Sequence, residues 1–146
     1  MEATTSVSPP RWYWIVSGIA LLWMLFGVVA LVMDLSMDEA ALEGMSEAER
    51  QIYTGRPTWL LVAYAVAILS GLGGVIGLLI RKRWAVALLA VSLITAVIQF
   101  GYVLFGMGAM DTLGAGATLP FPILILAIGA GLLWLAMRAR HFGWIT

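Results

Sequence analysis

The sequence predicts an all-α integral membrane protein, a four-helix bundle with two short interfacial helices in its first external loop. Three observations predict this fold. Hydrophobic residues make up 62% of the 146-residue chain and charged residues 11%, with a mean hydropathy of +1.00. A soluble domain of this size buries only part of its chain and could not hide so much apolar surface. The second observation is a set of four long apolar runs. The third is that the charged residues divide between the two sides of a membrane that these runs would cross four times.

Each apolar run is long enough to cross a bilayer. A hydrocarbon core of about 30 Å needs roughly 20 helical residues, and we place the spans at 12–33, 59–80, 84–106 and 119–137. The first run is longer than a signal-peptide core and lacks a small-residue cleavage site, which favours a retained helix. The fourth begins with Pro120 and Pro122, which suit a first helical turn. Residues 12–137 thus form a transmembrane domain between tails at 1–11 and 138–146.

The charged residues predict the orientation. Six of the eight basic residues fall on one side of the membrane, with Glu2 as the only acid there. These six are Arg11, Arg81, Lys82, Arg83, Arg138 and Arg140. The positive-inside rule therefore places both termini in the cytoplasm. Zero net charge gives no general attraction for nucleic acid, and without cysteine and with one histidine, His141, we expect no metal and no cofactor.

Tryptophans mark the ends of the spans. Their rings combine an apolar body with a polar N–H, so they collect where lipid meets water. We interpret five of them as interface anchors, in preference to ligand-stacking residues: Trp12, Trp14, Trp59, Trp84 and Trp144.

No span interior carries a charged residue or a histidine, which argues against proton-coupled or ion transport. The third span instead carries a polar stripe at helical spacing, made of Ser92, Thr95, Gln99 and Tyr102. Such a stripe can line a small polar cavity for an uncharged solute. Hydrogen bonding between helices, worth about 1 kcal/mol or less per contact, is the interpretation we favour.

Small residues predict close helix packing. The second span carries Ser70, Gly73, Gly74 and Gly77 at four-residue spacings, and the fourth carries Ala127 and Gly131. Such pairs let helix backbones approach closely. Packing within the bundle explains them, and a homodimer interface is the alternative.

The external loop, residues 34–58, is long for a helix–helix connection. Ser36 with Glu39 and Ser46 with Glu49 each fit a capping box, and Gly44 and Gly55 are suitable helix ends. Two short helices are therefore expected. The acidic residues of the loop can bind a cation or a partner, although a solvated charged face is more common: Asp38, Glu39, Glu43, Glu47 and Glu49.

Three stretches of sequence carry a resemblance to a known family. They are Pro10-Arg11-Trp12-Tyr13-Trp14, Arg83-Trp84-Ala85-Val86, and the run Met45-Ser46-Glu47-Ala48-Glu49-Arg50-Gln51-Ile52-Tyr53 leading to Pro57-Thr58-Trp59. Together they resemble small four-span bacterial inner-membrane proteins, over nearly the whole chain. Members are often catalogued as sugar transporters. The resemblance implies the topology and the bacterial inner membrane, and it brings no catalytic or binding motif.

Two functions follow from these observations. The first is a non-enzymatic structural or accessory protein that acts through the bilayer, through a homo-oligomer or through a membrane-protein partner. The alternative is a small transporter or facilitator for a neutral solute such as a sugar, which needs no intramembrane charge. We expect no enzyme, because no nucleophile–base pair or metal set can be assembled.

Overall fold

The computed structural model describes residues 7–108, 111, 114, 116 and 119–146. Within them the chain is helical, in the order α1 (Arg11–Leu35), α2 (Glu39–Glu43), α3 (Glu47–Thr54), α4 (Thr58–Leu79), α5 (Trp84–Gly101) and α6 (Pro120–His141). A π-helical turn, Tyr102–Gly106, extends α5. The helix α1, the helix α4, α5 with its π turn, and α6 are each long and apolar enough to cross a membrane. The all-α fold class and the four spans are confirmed, and the two short helices are present.

The end of the fourth long helix lies beyond the predicted end of the fourth span. The helix α6 continues past residue 137 to His141, so its last turn carries three potential cations, Arg138, Arg140 and His141. Positive side chains are favourable there because the C-terminal end of a helix carries partial negative charge. Residues 1–6 of the predicted N-terminal tail, and residues 109 and 110 after the third span, lie outside the described residues.

The four long helices pack in the order α1, α4, α5, α6, and α4 and α5 make the closest approach. A Cβ added at Gly74 would lie 2.6 Å from Leu89 Cγ, and one at Gly77 would lie 2.9 Å from Ala85 Cβ. Glycine is therefore required at both positions for the two backbones to come this close. Of the other small residues predicted in the second span, Gly73 lies against Leu88 at this contact, whereas the Ser70 hydroxyl donates to the Val66 carbonyl of its own helix.

The small pair of the fourth span is placed differently. Ala127 and Gly131 are both exposed, and a Cβ added at Gly131 would meet nothing within 4 Å. Neither residue brings another described helix close. Their use as a homodimer interface stays a prediction.

The packed core lies in the half of the bundle nearer the basic end, which is the end that carries Arg11, Arg81, Lys82, Arg83, Arg138 and Arg140. Fully buried side chains there include Tyr13, Leu78 and Ala136. The Tyr13 hydroxyl donates to the Leu78 carbonyl at 2.6 Å. This bond joins the start of α1 to the last turn of α4, and it is worth about 1 kcal/mol of stability.

Two helix ends at the basic end close with the same backbone motif. After α4, Arg81 adopts a left-handed conformation (φ +59°), and the Lys82 N–H donates to the Gly77 carbonyl at 2.8 Å. After α6, Gly143 (φ +76°) has the same role, and the Trp144 N–H donates to the Ala139 carbonyl at 2.8 Å. Both are Schellman endings, which satisfy the last helical carbonyls and reverse the chain.

The side chain of Arg81 joins three chain segments at this end. Its Nε donates to the Trp144 carbonyl at 2.8 Å and its Nη2 to the Val7 carbonyl at 2.9 Å. In addition, the Thr146 N–H donates to the Arg81 carbonyl, and the Val7 N–H to the Gly143 carbonyl. The N-terminal segment, the α4–α5 turn and the segment after α6 are therefore tied together around one guanidinium.

The opposite end, which we term the acidic end, carries Asp34 and the loop helices α2 and α3. Arg56 forms an ion pair with Asp34 at 3.1 Å and lies over the Tyr53 ring, 4.2 Å from its centroid. The Tyr53 hydroxyl donates to the Asp34 carbonyl at 2.8 Å. These contacts fasten the end of α3 to the end of α1.

Sequence patterns predicted one of the two loop caps correctly. Ser46 caps α3 by accepting from the Glu49 N–H, as expected. The cap of α2 is Asp38, which accepts from the Ala41 N–H, and Ser36 instead ends α1. The prediction for Ser36 was wrong because α1 continues through Leu35, which leaves the next capping side chain, Asp38, to start α2. Gly44 and Gly55 end the two helices as predicted.

Candidate functional site

A cavity of about 620 Å³ lies between the four long helices, in the half nearer the acidic end. Its walls come from the middle of α1 and from the parts of α4, α5 and α6 that lie toward the acidic loop. They are formed by Trp23, Met24, Phe26, Gly27, Ala30, Tyr64, Ala67, Ile68, Ser92, Leu93, Ala96, Phe100, Phe121, Ile125 and Gly129. Such a volume lies within the usual range of small-molecule sites.

The cavity has its mouth between α1 and α6. These two helices are the outer members of the packing order and share little contact among the described residues. Phe26 of α1 is 74% exposed and Phe121 of α6 is 62% exposed, although both also line the cavity. Residues that are both lining and exposed mark an opening. For a bundle that crosses a membrane, this opening faces the lipid side.

The lining is almost entirely apolar. Two of the lining side chains carry hydroxyls, Tyr64 and Ser92, and the Ser92 hydroxyl donates to the Ala67 carbonyl at 2.7 Å. The remaining lining residues are aliphatic, aromatic, methionine or glycine, and among them only Trp23 carries a polar group, its indole N–H. A ligand in this cavity would therefore meet hydrocarbon on nearly every side.

The predicted polar stripe on the third span is divided among several environments. Ser92 makes a bond between α5 and α4, as the interhelical interpretation predicts, while the Thr95 hydroxyl donates to the Val91 carbonyl of its own helix. Tyr102 lies at the start of the π turn and packs edge-on against Trp59, with centroids 4.8 Å apart. Of the four, only Ser92 lines the cavity. The stripe does not form a continuous polar surface along it.

Two polar side chains are buried inside the bundle. Gln99 is 9% exposed and makes no side-chain hydrogen bond with the described residues. Ser17 on α1 is completely buried, and its hydroxyl also lacks a partner among them. Neither residue lines the cavity.

The acidic loop residues are dispersed over α2 and α3. Glu39, Glu43, Glu47 and Glu49 are all exposed, and Asp38 is occupied in capping α2. Over the part of the chain that the structure describes, no three His, Asp or Glu residues come together in a way that could hold a metal ion. Binding of a cation or a partner by this loop stays a prediction.

Four of the five predicted tryptophan anchors are partly exposed at helix ends: Trp12, Trp14, Trp59 and Trp84. Trp144 is half-buried instead. Its ring packs edge-on against Trp12 at 5.6 Å and Tyr13 at 5.8 Å between centroids. Trp144 thus helps to close the basic end between α1 and α6, opposite the open half that holds the cavity.

Comparison of the chain with protein-family models, with curated proteins and with solved structures finds no match. The resemblance to four-span bacterial inner-membrane proteins therefore stays a prediction, and the function has to be argued from the geometry.

Proposed function

We propose that this chain is a non-enzymatic accessory protein of a bacterial inner membrane whose cavity holds the hydrocarbon chain of a lipid. The observation that carries the proposal is the apolar cavity with a mouth between α1 and α6. The six-to-two division of basic residues supports a cytoplasmic basic end. The four-span resemblance supports the bacterial inner membrane.

The size of the cavity suits one lipid chain. If a methylene group takes roughly the 30 Å³ that a water molecule occupies in the liquid, a volume of about 620 Å³ has room for about twenty carbons. Cavities lined by apolar side chains stay dry and accept apolar guests. Because the mouth lies at the depth of the apolar helices, a chain can enter sideways from the bilayer without crossing water.

A sugar is a poorer match for the same cavity. Each sugar hydroxyl that leaves water without a hydrogen-bond partner costs several kcal/mol on a hydrocarbon scale. The lining offers the indole N–H of Trp23 and the hydroxyls of Tyr64 and Ser92, and the Ser92 hydroxyl already donates to the Ala67 carbonyl. Three such groups are too few for the several hydroxyls of a sugar. This is the reason that we prefer the accessory role over the facilitator for a neutral solute.

The test uses a phospholipid with a photoreactive group midway along one acyl chain, incorporated into nanodiscs with the full chain. We expect labelling on the cavity-lining residues of α1 and α6. Ala30→Phe fills the exposed side of the lining and should reduce this labelling at least fivefold. Ala87→Phe adds the same ring to an exposed position of α5 outside the lining, and should leave it unchanged.

Equal labelling of Ala30→Phe and Ala87→Phe would contradict the proposal, since the label would then report only the surrounding bilayer. The alternative has its own measurement. If proteoliposomes take up a neutral sugar faster than protein-free liposomes, and Gln99→Leu abolishes that uptake while the protein stays folded, the chain is a facilitator and the accessory role is wrong.

A further inference from the structure

Four cationic side chains at the basic end have no partner among the described residues. They are exposed, and none of them takes part in an ion pair, a side-chain hydrogen bond or a ring contact within the part of the chain described: Arg11, Lys82, Arg83 and Arg140. We define these four as the basic rim. The neighbouring Arg81 and Arg138 are engaged, the first with backbone carbonyls and the second over the rings of Trp134 and Phe142.

The two basic residues of the acidic end differ from the rim. Arg56 is paired with Asp34, and Arg50 donates to the carbonyls of Leu42 and Glu43. Unpaired cations are therefore concentrated at one end of the protein.

The rim also lacks compensating negative charge. Every acidic residue that the structure describes belongs to the acidic end or to the connection before α6: Asp34, Asp38, Glu39, Glu43, Glu47, Glu49 and Asp111. On the basic side, the sequence supplies Glu2, which lies outside the described residues and is a single carboxylate against four cations. The rim therefore carries a net positive charge that an anionic molecule can neutralise.

The rim lies where phospholipid headgroups lie. Arg11 and Arg83 each precede a tryptophan of a helix start, and Trp12 and Trp84 are 42% and 46% exposed. Tryptophan rings exposed at the ends of spans sit at headgroup depth. The guanidinium fork matches phosphate oxygens in a bidentate arrangement.

The rim is also held in place. Arg11 begins α1, Arg83 precedes α5, and Arg140 lies in the last turn of α6. The bonds of Arg81 to Trp144 and Val7 keep these three segments together. The backbone positions that carry the cations are therefore fixed at one end of the bundle.

We propose that the basic rim is a binding site for the headgroup phosphates of anionic phospholipids. Each cation near a membrane surface contributes about fivefold to the affinity for anionic lipid. Removing three cations should thus abolish a preference for an anionic lipid over a zwitterionic lipid. The headgroup preference can be measured separately from binding in the cavity. Two lipids with identical acyl chains fill the cavity equally well and differ only at the headgroup.

The experiment offers the full chain, in mild detergent, equal amounts of phosphatidylglycerol and phosphatidylcholine that both carry two oleoyl chains. Native mass spectrometry measures the lipid retained. We expect phosphatidylglycerol to be retained at least tenfold more than phosphatidylcholine. The combined variant Lys82→Gln, Arg83→Gln and Arg140→Gln should lose this preference. Arg50→Gln, the same change at the acidic end, should keep it.

Two further measurements need only the unaltered chain. Raising salt from about 0.05 M to about 0.5 M should weaken phosphatidylglycerol retention, because screening shortens the reach of exposed charges. Inorganic phosphate at the same concentration as the lipid should not displace it. Equal retention of the two lipids by the unaltered chain, or a preference that survives in the triple variant, overturns the proposal. Displacement by free phosphate would show that the rim is a phosphate site and not a lipid site.

Discussion

At the basic end of the bundle, side-chain hydrogen bonds join residues more than 60 positions apart in the sequence. Among the described residues, those around Asp34 and the acidic loop span at most 22 positions. The packed core lies beside the first set and the cavity beside the second. The long-range bonds join the start of α1, the α4–α5 turn and the segment after α6, whereas the local bonds fasten the loop helix α3 to the end of α1. The bundle therefore combines a closed base with a half in which α1 and α6 stay apart.

The largest expected effect concerns the close packing of α4 against α5 at the basic end. Gly77→Leu would drive a side chain into Ala85 and the ring of Trp84, which lie 2.9 Å from an added Cβ. We expect a loss of about 3 kcal/mol, since backbone has to move. Gly101→Leu, where an added Cβ meets nothing within 4 Å, should be neutral or slightly stabilising. Thermal unfolding in detergent compares the two. Equal midpoints would show that the two halves do not differ in packing.

The next prediction compares Arg81, which joins segments at the basic end, with Arg56, which joins them at the acidic end. Arg81→Ala removes bonds to two separate segments and should cost about 2 kcal/mol, while Arg56→Ala removes one half-buried ion pair and should cost about 1 kcal/mol. Lys82→Ala is the control, because the Lys82 side chain lies beside Arg81 but has no partner among the described residues, and it should change stability by less than about 0.5 kcal/mol. Hydrogen exchange should also show residues 143–146 released in Arg81→Ala alone. If Lys82→Ala lost as much stability as Arg81→Ala, positive charge and not the bonds to backbone carbonyls would stabilise the basic end.

The smallest effect concerns the helix caps in the loop at the acidic end. Ser46→Ala should speed amide exchange in α3 roughly fivefold, corresponding to a cap worth about 1 kcal/mol, without moving the global unfolding midpoint. Ser36→Ala should leave exchange in α2 unchanged, because Asp38 caps that helix. Faster exchange in α2 after Ser36→Ala would restore the sequence-based assignment. A shift of the global midpoint in Ser46→Ala would show that the loop contributes to the bundle as a whole.

Much of the fold follows from the sequence because hydropathy and small-residue spacing are local signals. The four spans, the close approach at Gly74 and Gly77, and the cap at Ser46 were all predictable in this way. The role of Arg81 could not be predicted, because its partners are backbone carbonyls of distant segments. Every residue has the same backbone carbonyl, so the sequence does not indicate which ones accept a hydrogen bond. The run Arg81, Lys82 and Arg83 predicts the same orientation whether or not Arg81 bonds to the segments before α1 and after α6.

The cavity could not be predicted for a different reason. Its lining residues are of the same apolar types as those that face lipid, so composition cannot separate Ala30 or Phe121 from their neighbours. The polar stripe was the visible signal on the third span, yet only Ser92 of that stripe reaches the cavity. What forms the cavity is the lack of contact between α1 and α6, which depends on how four helices pack together.

The Arg81 contacts also order events during synthesis. Val7 leaves the ribosome first and Arg81 next, yet the carbonyl of Trp144 becomes available only after all four spans have been made. Until then the first three helices can pair as neighbours, but the base stays open and Tyr13 lacks the indole ring of Trp144 beside it. A chain that has made three spans therefore offers Arg81 the Val7 carbonyl but not the Trp144 carbonyl, and the basic end closes only when the fourth span is complete.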